Sequence, residues 1–570
     1  MTLPHNPNDL DAWELPRPGA RTRLPRTPSD NGHVALTRLG VVVGGSLSKG
    51  LVVKLDREVA IEEMAVGRYV VVHGDNKRFF CMVNDVVLNA TNPAIQGDPP
   101  DIREDNFLRA VYSGVVAYGT INVAPMLVID EEDGKPRPVK SIPSHFTEVY
   151  NADEGDVNAV FGAEDQAHFN VGRPLELEQT QINLDLRRLT ERSVGVFGKS
   201  GTGKSFLTRV LLAGVIARGQ AVSLIFDMHN DYGWEITSEN GSKVKGLKQL
   251  FPAKISICTL DAESSRRRTA KYDFEVQLGY DEIEPEDIAM LRGTMSLSDA
   301  MIDAAYTLSK RWGTNWVWRL LQGRSEDIDE IVEHTNIMGG TLAGLQRRLE
   351  RFQRWEFLVQ HSSGDTINQI INKLDQGISV VLEFGRYGSS LEAYILVANY
   401  LSRRIHESYV ERVEKALGDQ GMEPPQLLIT IEEAHKFLDP LIARQTIFGT
   451  IAREMRKYKV TLLIVDQRPS GIDEEVMSQI GTRVTALLDN ERDINAVLNG
   501  ISGAGNLREV LARLDTKQQA IIMGHAVPMP VVIKTRAYDE AFYAAMLDRP
   551  VSTDEARRTL GNSGKERRIR

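Results

Sequence analysis

An α/β fold with a mostly parallel sheet, preceded by a small β-barrel and interrupted by a helical insertion, is what this 570-residue sequence predicts. Three observations carry the prediction. A glycine-rich loop lies between a short apolar run and a helical pattern. Strand-like and helical patterns alternate after that loop, and short β-branched runs with turn residues between them fill the chain before it.

Residues 1–32 are rich in Pro, Arg, Asn and Asp without apolar periodicity, so a flexible N-terminal arm is expected. Over 33–165, β-branched runs recur at 34–43, 51–55, 68–72, 78–88, 111–118 and 126–129. Turn signals at Gly44-Gly45, Gly74-Asp75-Asn76 and Asp133-Gly134 separate them, a spacing that suits a closed barrel. The α/β core is expected in two pieces, 166–280 and 377–540, with strands after the glycine loop at 222–226, 254–258, 378–384, 427–431, 460–465 and 484–488. Between the two pieces, over 281–376, the strand signal vanishes. There Pro285 with following acids starts a helix, and Leu342, Leu345, Leu349 and Phe352 share one helical face, which predicts an all-helical insertion. Apolar runs at 520–523 and 531–533 precede a final segment, 541–570, expected to be a helix and a basic tail.

Composition narrows the class. Charged residues at 26% and hydrophobic residues at 42% are ordinary for a soluble globular protein. No run approaches the roughly 18 apolar residues of a membrane span, and the first residues lack the charged and apolar regions of a signal peptide, so a cytoplasmic protein is expected. Cys81 and Cys258 sit in apolar strand-like runs, which favours buried free thiols over a disulfide. The net charge of −10 argues against a surface coated for nucleic acid, so any DNA contact must be local. Arg266-Arg267-Arg268 is a candidate for such a contact, with an exposed charged loop as the competing reading.

Gly198-Lys199-Ser200-Gly201-Thr202-Gly203-Lys204-Ser205 is a complete G-x-x-x-x-G-K-S loop, followed by Phe206 and an apolar helical pattern. A strand feeding such a loop into a helix aims backbone N–H groups and the positive end of the helix at one point, which suits the phosphates of ATP. This predicts a P-loop NTPase core of the RecA-like kind. Gly198, Ser200, Gly201, Thr202, Gly203, Lys204, Ser205 and Phe206 are the expected nucleotide-binding residues, with Lys204 on the β/γ-phosphates and the Ser205 hydroxyl on Mg²⁺.

A second constellation points to hydrolysis. The apolar run at 427–431 ends in Glu432-Glu433-Ala434-His435, two adjacent carboxylates at a strand's C-terminal edge. Because strand side chains alternate, Glu432 is expected in the metal shell and Glu433, pointing the other way, as the base that activates water. His435 lacks the two-histidine spacing of a zinc protease. Further on come Arg453 and Arg456, either of which could reach the γ-phosphate of a neighbouring subunit, and Gln467 at the end of the next strand, placed to sense that phosphate or orient water.

Together these motifs resemble the HerA family of hexameric DNA translocases, within the wider HerA/FtsK group. The resemblance runs through Gly198 to Ser205, Phe226-Asp227-Met228-His229-Asn230-Asp231-Tyr232, Ile431-Glu432-Glu433-Ala434-His435, the arginine helix and Asp466-Gln467-Arg468-Pro469-Ser470. It departs from the family at Glu432, where many such ATPases carry Asp, and at Met455, where the family often has Gly. The resemblance implies a homohexamer that hydrolyses ATP at subunit interfaces and draws double-stranded DNA through a central channel. It makes Glu433 the catalytic acid, Arg456 the first candidate for a trans-acting arginine and Gln467 the sensor. It also implies a partner bound at the N-terminal barrel, a nuclease or a sirtuin-like effector, in DNA processing or anti-phage defence. An ATPase scaffold regulating an effector, or a protein-translocating ATPase, is the alternative.

Overall fold

The computed structural model describes residues 37–92, 95, 116–175, 177, 180–237, 241–323, 325–335, 337–362, 366–418, 423–443, 446–454, 457–501, 504–515 and 517–547. The expected arm (1–32), the start of the first expected strand, most of the run at 111–118, Met455, Arg456 and the basic tail lie outside these residues.

Seven strands form the N-terminal sheet: β1 (Arg38–Ser46), β2 (Gly50–Leu55), β3 (Tyr69–His73), β4 (Lys77–Ala90), β5 (Ala117–Asp130), β6 (Pro136–Pro138) and β7 (Glu148–Asn151). The order β2-β1-β7-β3-β4-β5 is closed by antiparallel pairing of β5 with β2, making a six-stranded barrel with β6 added on β5. The runs expected separately at 111–118 and 126–129 are joined in part as one long strand, β5. It stays in register with β4 over thirteen pairs through two irregularities, so no turn is needed between the runs. Period-two alternation sends Val70, Val72, Phe79, Cys81 and Val83 into the barrel interior. It turns Tyr69, Val71, Phe80 and Met82 outward into the core of the larger sheet. The Tyr69 hydroxyl accepts from Val532 N–H at 3.0 Å across that junction.

The larger sheet contains β8 (His168–Arg173), β9 (Ile182–Asp185), β10 (Val194–Phe197) and β11 (Val222–Asp227). Beyond a two-residue ribbon, β12 (Ile236–Thr237) with β13 (Lys243–Val244), follow β14 (Ile255–Thr259) and β15 (Phe274–Glu275). A second small pair, β16 (Leu278–Gly279) with β17 (Leu358–Val359), precedes β18 (Ser379–Glu383), β19 (Leu427–Glu432), β20 (Val460–Asp466), β21 (Thr482–Thr485), β22 (Gln519–Gly524) and β23 (Val531–Thr535). The twelve-stranded order is β15-β14-β18-β11-β19-β20-β10-β21-β22-β23-β8-β9, parallel as far as β21 and antiparallel beyond it. The strand expected at 484–488 begins and ends earlier, at Thr482–Thr485.

Residues 285–354 carry mostly helices, among them Asp299–Trp312, Trp316–Gln322 and Gly339–Leu349. Leu342, Leu345, Leu349 and Phe352 are all buried, the apolar face read from the sequence. The stretch expected to be all-helical also contains β17, whose two residues pair in parallel with β16. Cys81 and Cys258 are buried free thiols. Among the described residues no helix is long and apolar enough to cross a membrane.

Candidate functional site

Sheet register brings the two motifs to one edge. Phe197, the last residue of β10, lies level with Asp466 of β20, while Glu432 of β19 lies level with Val465. The glycine loop, Glu433 and Gln467 therefore leave the sheet side by side, at the C-terminal edge where parallel sheets gather ligands. Gly203 caps the helix Lys204–Arg218 with φ 88°, a left-handed conformation that glycine adopts without steric cost. At Gly198 a Cβ would come within 2.8 Å of Thr202 Oγ1 and 2.9 Å of Ala486 Cβ, so only glycine lets the loop pass so close to the chain leaving β21.

The loop is held by its own side chains. Thr202 Oγ1 donates to the Lys199 carbonyl at 2.8 Å, Lys204 Nζ donates to the same oxygen at 2.9 Å, and Lys199 pairs with Asp489. Burial lowers the Lys204 pKa, and the charges of Glu433, Asp466 and Glu432 oppose that, in this order. Ser205 is half-buried in the first helical turn. Phe206 is exposed, with the buried Arg209 guanidinium 5.3 Å from its ring centre.

The adjacent acids have different settings. Glu432 ends β19 and is buried; its Oε1 accepts from the Tyr232 hydroxyl at 2.7 Å, and its backbone N–H donates to the Tyr394 hydroxyl at 3.0 Å. Its Oε2 is buried and accepts no hydrogen bond among the described residues. Burial raises the Glu432 carboxyl above its ordinary range, with the Tyr232 hydrogen bond working against the rise. Glu433 lies beyond the strand with φ 50°, so strand alternation does not separate the two carboxylates as the sequence suggested. The left-handed turn aims Glu433 instead: its Oε1 accepts from Gln467 Nε2 at 3.3 Å and its Oε2 lies 3.7 Å from His435 Nε2.

Asp227, which the sequence marked without a role, supports this arrangement. It accepts from the backbone N–H groups of Asp231 (2.7 Å), Tyr232 (2.8 Å) and Gly233 (3.2 Å), shaping the loop that delivers Tyr232 to Glu432. Burial pushes its carboxyl up to about 7 against those N–H bonds, and Glu432 and Glu383 add to the rise.

Lys204, Glu432, Glu433 and Gln467 are thus brought together with the glycine loop. Arg453 is half-buried on the helix Ile447–Glu454, and its Nη1 is buried without a hydrogen bond among the described residues. Arg456 lies outside them. In the basic cluster at 266–268 all three residues are exposed. Arg268 turns its guanidinium to Glu383 at 2.7 Å, a carboxylate only 1% exposed, because a buried acid needs a cation more than solvent does, while Arg267 pairs with the exposed Glu263 one helical turn away. Sequence reasoning missed Tyr394, and it quoted Tyr232 and Asp466 within motifs without giving either a role. The Glu-Glu-Ala-His and Asp-Gln pairs at neighbouring strand ends were the one available signal for Asp466.

A glycine loop opening a helix on a mostly parallel sheet, with a lysine facing paired acids, defines a P-loop ATPase. The model of the family described as Helicase HerA, central domain, matches residues 169–405. The DNA double-strand break repair helicase HerA of Sulfolobus acidocaldarius is 24% identical over 510 residues, covering 88% of this chain and 93% of that one. Its counterpart from Pyrococcus furiosus is 24% identical over 445 residues, 73% of this chain and 78% of that one. Among solved structures, VirB4 of Thermoanaerobacter pseudethanolicus aligns with a TM-score of 0.44 at 12% identity, over 67% of this chain and 100% of that one. The chain is thus similar to HerA helicases over most of its length, and it is an ATPase of the helicase type.

Proposed function

We propose that this protein is an ATP-driven motor in which six copies form a ring around double-stranded DNA and move along it. The single observation that carries the reading is Glu433, held between Gln467 and His435 beside Lys204 at the edge of the glycine loop, in a chain similar to HerA helicases over most of its length. In this reading Gly198, Ser200, Gly201, Thr202, Gly203 and the start of the helix at Phe206 surround the phosphates, and Lys204 reaches the β/γ-phosphates. Ser205 and Glu432 hold Mg²⁺. The unpartnered Glu432 Oε2 fits that assignment, since a water on the ion would supply the missing donor. Bound Mg²⁺ neutralises charge developing on the phosphates. Glu433 takes the proton of the attacking water, Gln467 keeps the carboxylate and that water in line, and Arg456 or Arg453 of the adjoining copy stabilises the γ-phosphate.

The acidic net charge of −10 supports confining the DNA contact to a channel, where a few cations per copy suffice when repeated around a ring. A nuclease or sirtuin-like effector at the barrel end completes the proposal. The test is steady-state ATP hydrolysis with and without duplex DNA, on wild type and Lys204→Ala. Stimulation by duplex DNA, absent in the variant, is expected. A ring whose hydrolysis ignores DNA but changes the activity of a bound effector would overturn the motor in favour of a regulatory scaffold.

A further inference from the structure

His435 stands two residues after Glu433, at the start of the short helix His435–Leu438, and is bound firmly to the neighbouring strand. The buried carboxylate of Asp466, the last residue of β20, accepts the His435 backbone N–H at 2.7 Å and the ring Nδ1 at 2.9 Å on Oδ2, and Arg468 N–H at 2.7 Å on Oδ1. Burial alone would raise the Asp466 pKa, but the hydrogen bonds from His435 and Arg468 outweigh it and hold the group below its ordinary value. A carboxylate at Nδ1 assigns the proton to that nitrogen, which leaves Nε2 as the edge turned towards Glu433.

Glu433 needs such a neighbour. It is a partly exposed side chain, and the terminal torsion of a glutamate is broad, so one amide contact from Gln467 fixes one oxygen and leaves the carboxylate plane free to rotate. His435 Nε2 stands on the other oxygen, 3.7 Å from Oε2, close enough to orient it electrostatically and to tighten into a hydrogen bond with a small shift. This edge suits both forms of Glu433. With Asp466 holding the Nδ1 proton, a doubly protonated ring donates from Nε2 to the carboxylate, and the neutral ring accepts at Nε2 from the acid formed when Glu433 has taken a proton from water.

We propose that His435, fixed by Asp466, is a positioning residue that aims the Glu433 carboxylate for water activation. The proposal rests on the reading of Glu433 as the water-activating base. Two near-isosteres separate it from a purely structural role. Glutamine at 435 carries its amide where Nε2 stands and so retains the edge facing Glu433, whereas asparagine carries its amide where Nδ1 stands and retains only the bond to Asp466.

The experiment measures kcat and KM for ATP, with melting temperature, on the full-length His435→Gln, His435→Asn and His435→Ala proteins, alone and combined with Glu433→Gln. His435→Asn and His435→Ala are expected to lose about tenfold or more in kcat with little change in KM, since a carboxylate misplaced by about 1 Å can cost up to 10²-fold. His435→Gln should recover most of the rate, and His435→Asn should cost nothing further once Glu433→Gln is present. Wild-type kcat in His435→Asn, or loss in His435→Gln alone, overturns the proposal by making the Asp466 anchor the whole role. Full activity in Glu433→Gln instead removes the underlying assignment of the base, and that variant is measured separately.

Discussion

Inside the barrel, alternation sends Val70, Val72, Phe79, Cys81 and Val83 into a common apolar interior, whereas the strands of the ATPase sheet, buried on both faces, end in the buried carboxylates Asp227, Glu383, Glu432 and Asp466. The interior of the first is held by area and shape, which act in no particular direction. The edge of the second is held by directed partners: backbone N–H groups on Asp227, Arg268 on Glu383, Tyr232 on Glu432, and His435 on Asp466. A change in the barrel should therefore lower stability and leave the chemistry alone, while a change at the sheet edge should act on turnover, on stability, or on both, according to which side of a carboxylate it touches.

The largest effect on turnover is expected from the arginine that a neighbouring copy would contribute in the proposed ring. Arg456→Ala should reduce hydrolysis by about 10³ to 10⁵, the range for arginine fingers. Mixed rings of Arg456→Ala with Glu433→Gln should regain part of the activity, because some interfaces then hold every intact part; native mass confirms the mixing. If Arg456→Ala alone stays near wild type, the role passes to Arg453. Next comes Glu433→Gln, which should keep ATP binding and melting temperature while kcat falls by about 10² to 10⁴, the usual contribution of a positioned base. Calorimetric titration with ATP and steady-state assays separate those two quantities.

Arg268→Ala tests the supporting side of the edge. Burial raises the Glu383 carboxyl and Arg268 opposes the rise. Without Arg268 the carboxyl titrates higher still, so the folded protein binds that proton more tightly than the unfolded chain does, and stability is lost as the pH rises. The fall in melting temperature should be greater at pH 8 than at pH 5 and should be largely recovered by adding Glu383→Gln. Undiminished DNA stimulation in the melted-down but folded variant would agree with the inward pairing of Arg268. The smallest effect on turnover belongs to Phe79→Ala in the barrel interior. It should destabilise by about 3 to 5 kcal/mol, as buried aromatic truncations do, with kcat per folded molecule unchanged. A matching loss of kcat would mean that barrel and site are coupled.

Much of this edge was legible in the sequence because its parts are contiguous. The glycine loop and the Glu432-Glu433 pair each lie within a few residues, next to the strand that carries them, and local pattern is enough to read them. The partners are a different matter. Tyr232 reaches Glu432 across 200 residues and Arg268 reaches Glu383 across 115, distances over which periodicity says nothing about who meets whom. The same limit applies to Arg268, whose buried partner Glu383 is not announced by a run of three cations. β8 and β9 escaped notice because His168–Arg173 and Ile182–Asp185 are short and mix polar with apolar residues. The role of alternation at Glu433 failed for a single dihedral angle, which no side-chain pattern encodes.

That dihedral has a further consequence. A glutamate in the left-handed region carries a backbone cost of about 1 to 2 kcal/mol that glycine would not. Glu433→Gly should accordingly melt at a higher temperature than the natural protein while being unable to hydrolyse ATP. Selection for robustness alone would discard the glutamate at this position, so a library of variants sorted by thermal survival should drift towards glycine there, and one sorted by turnover should not.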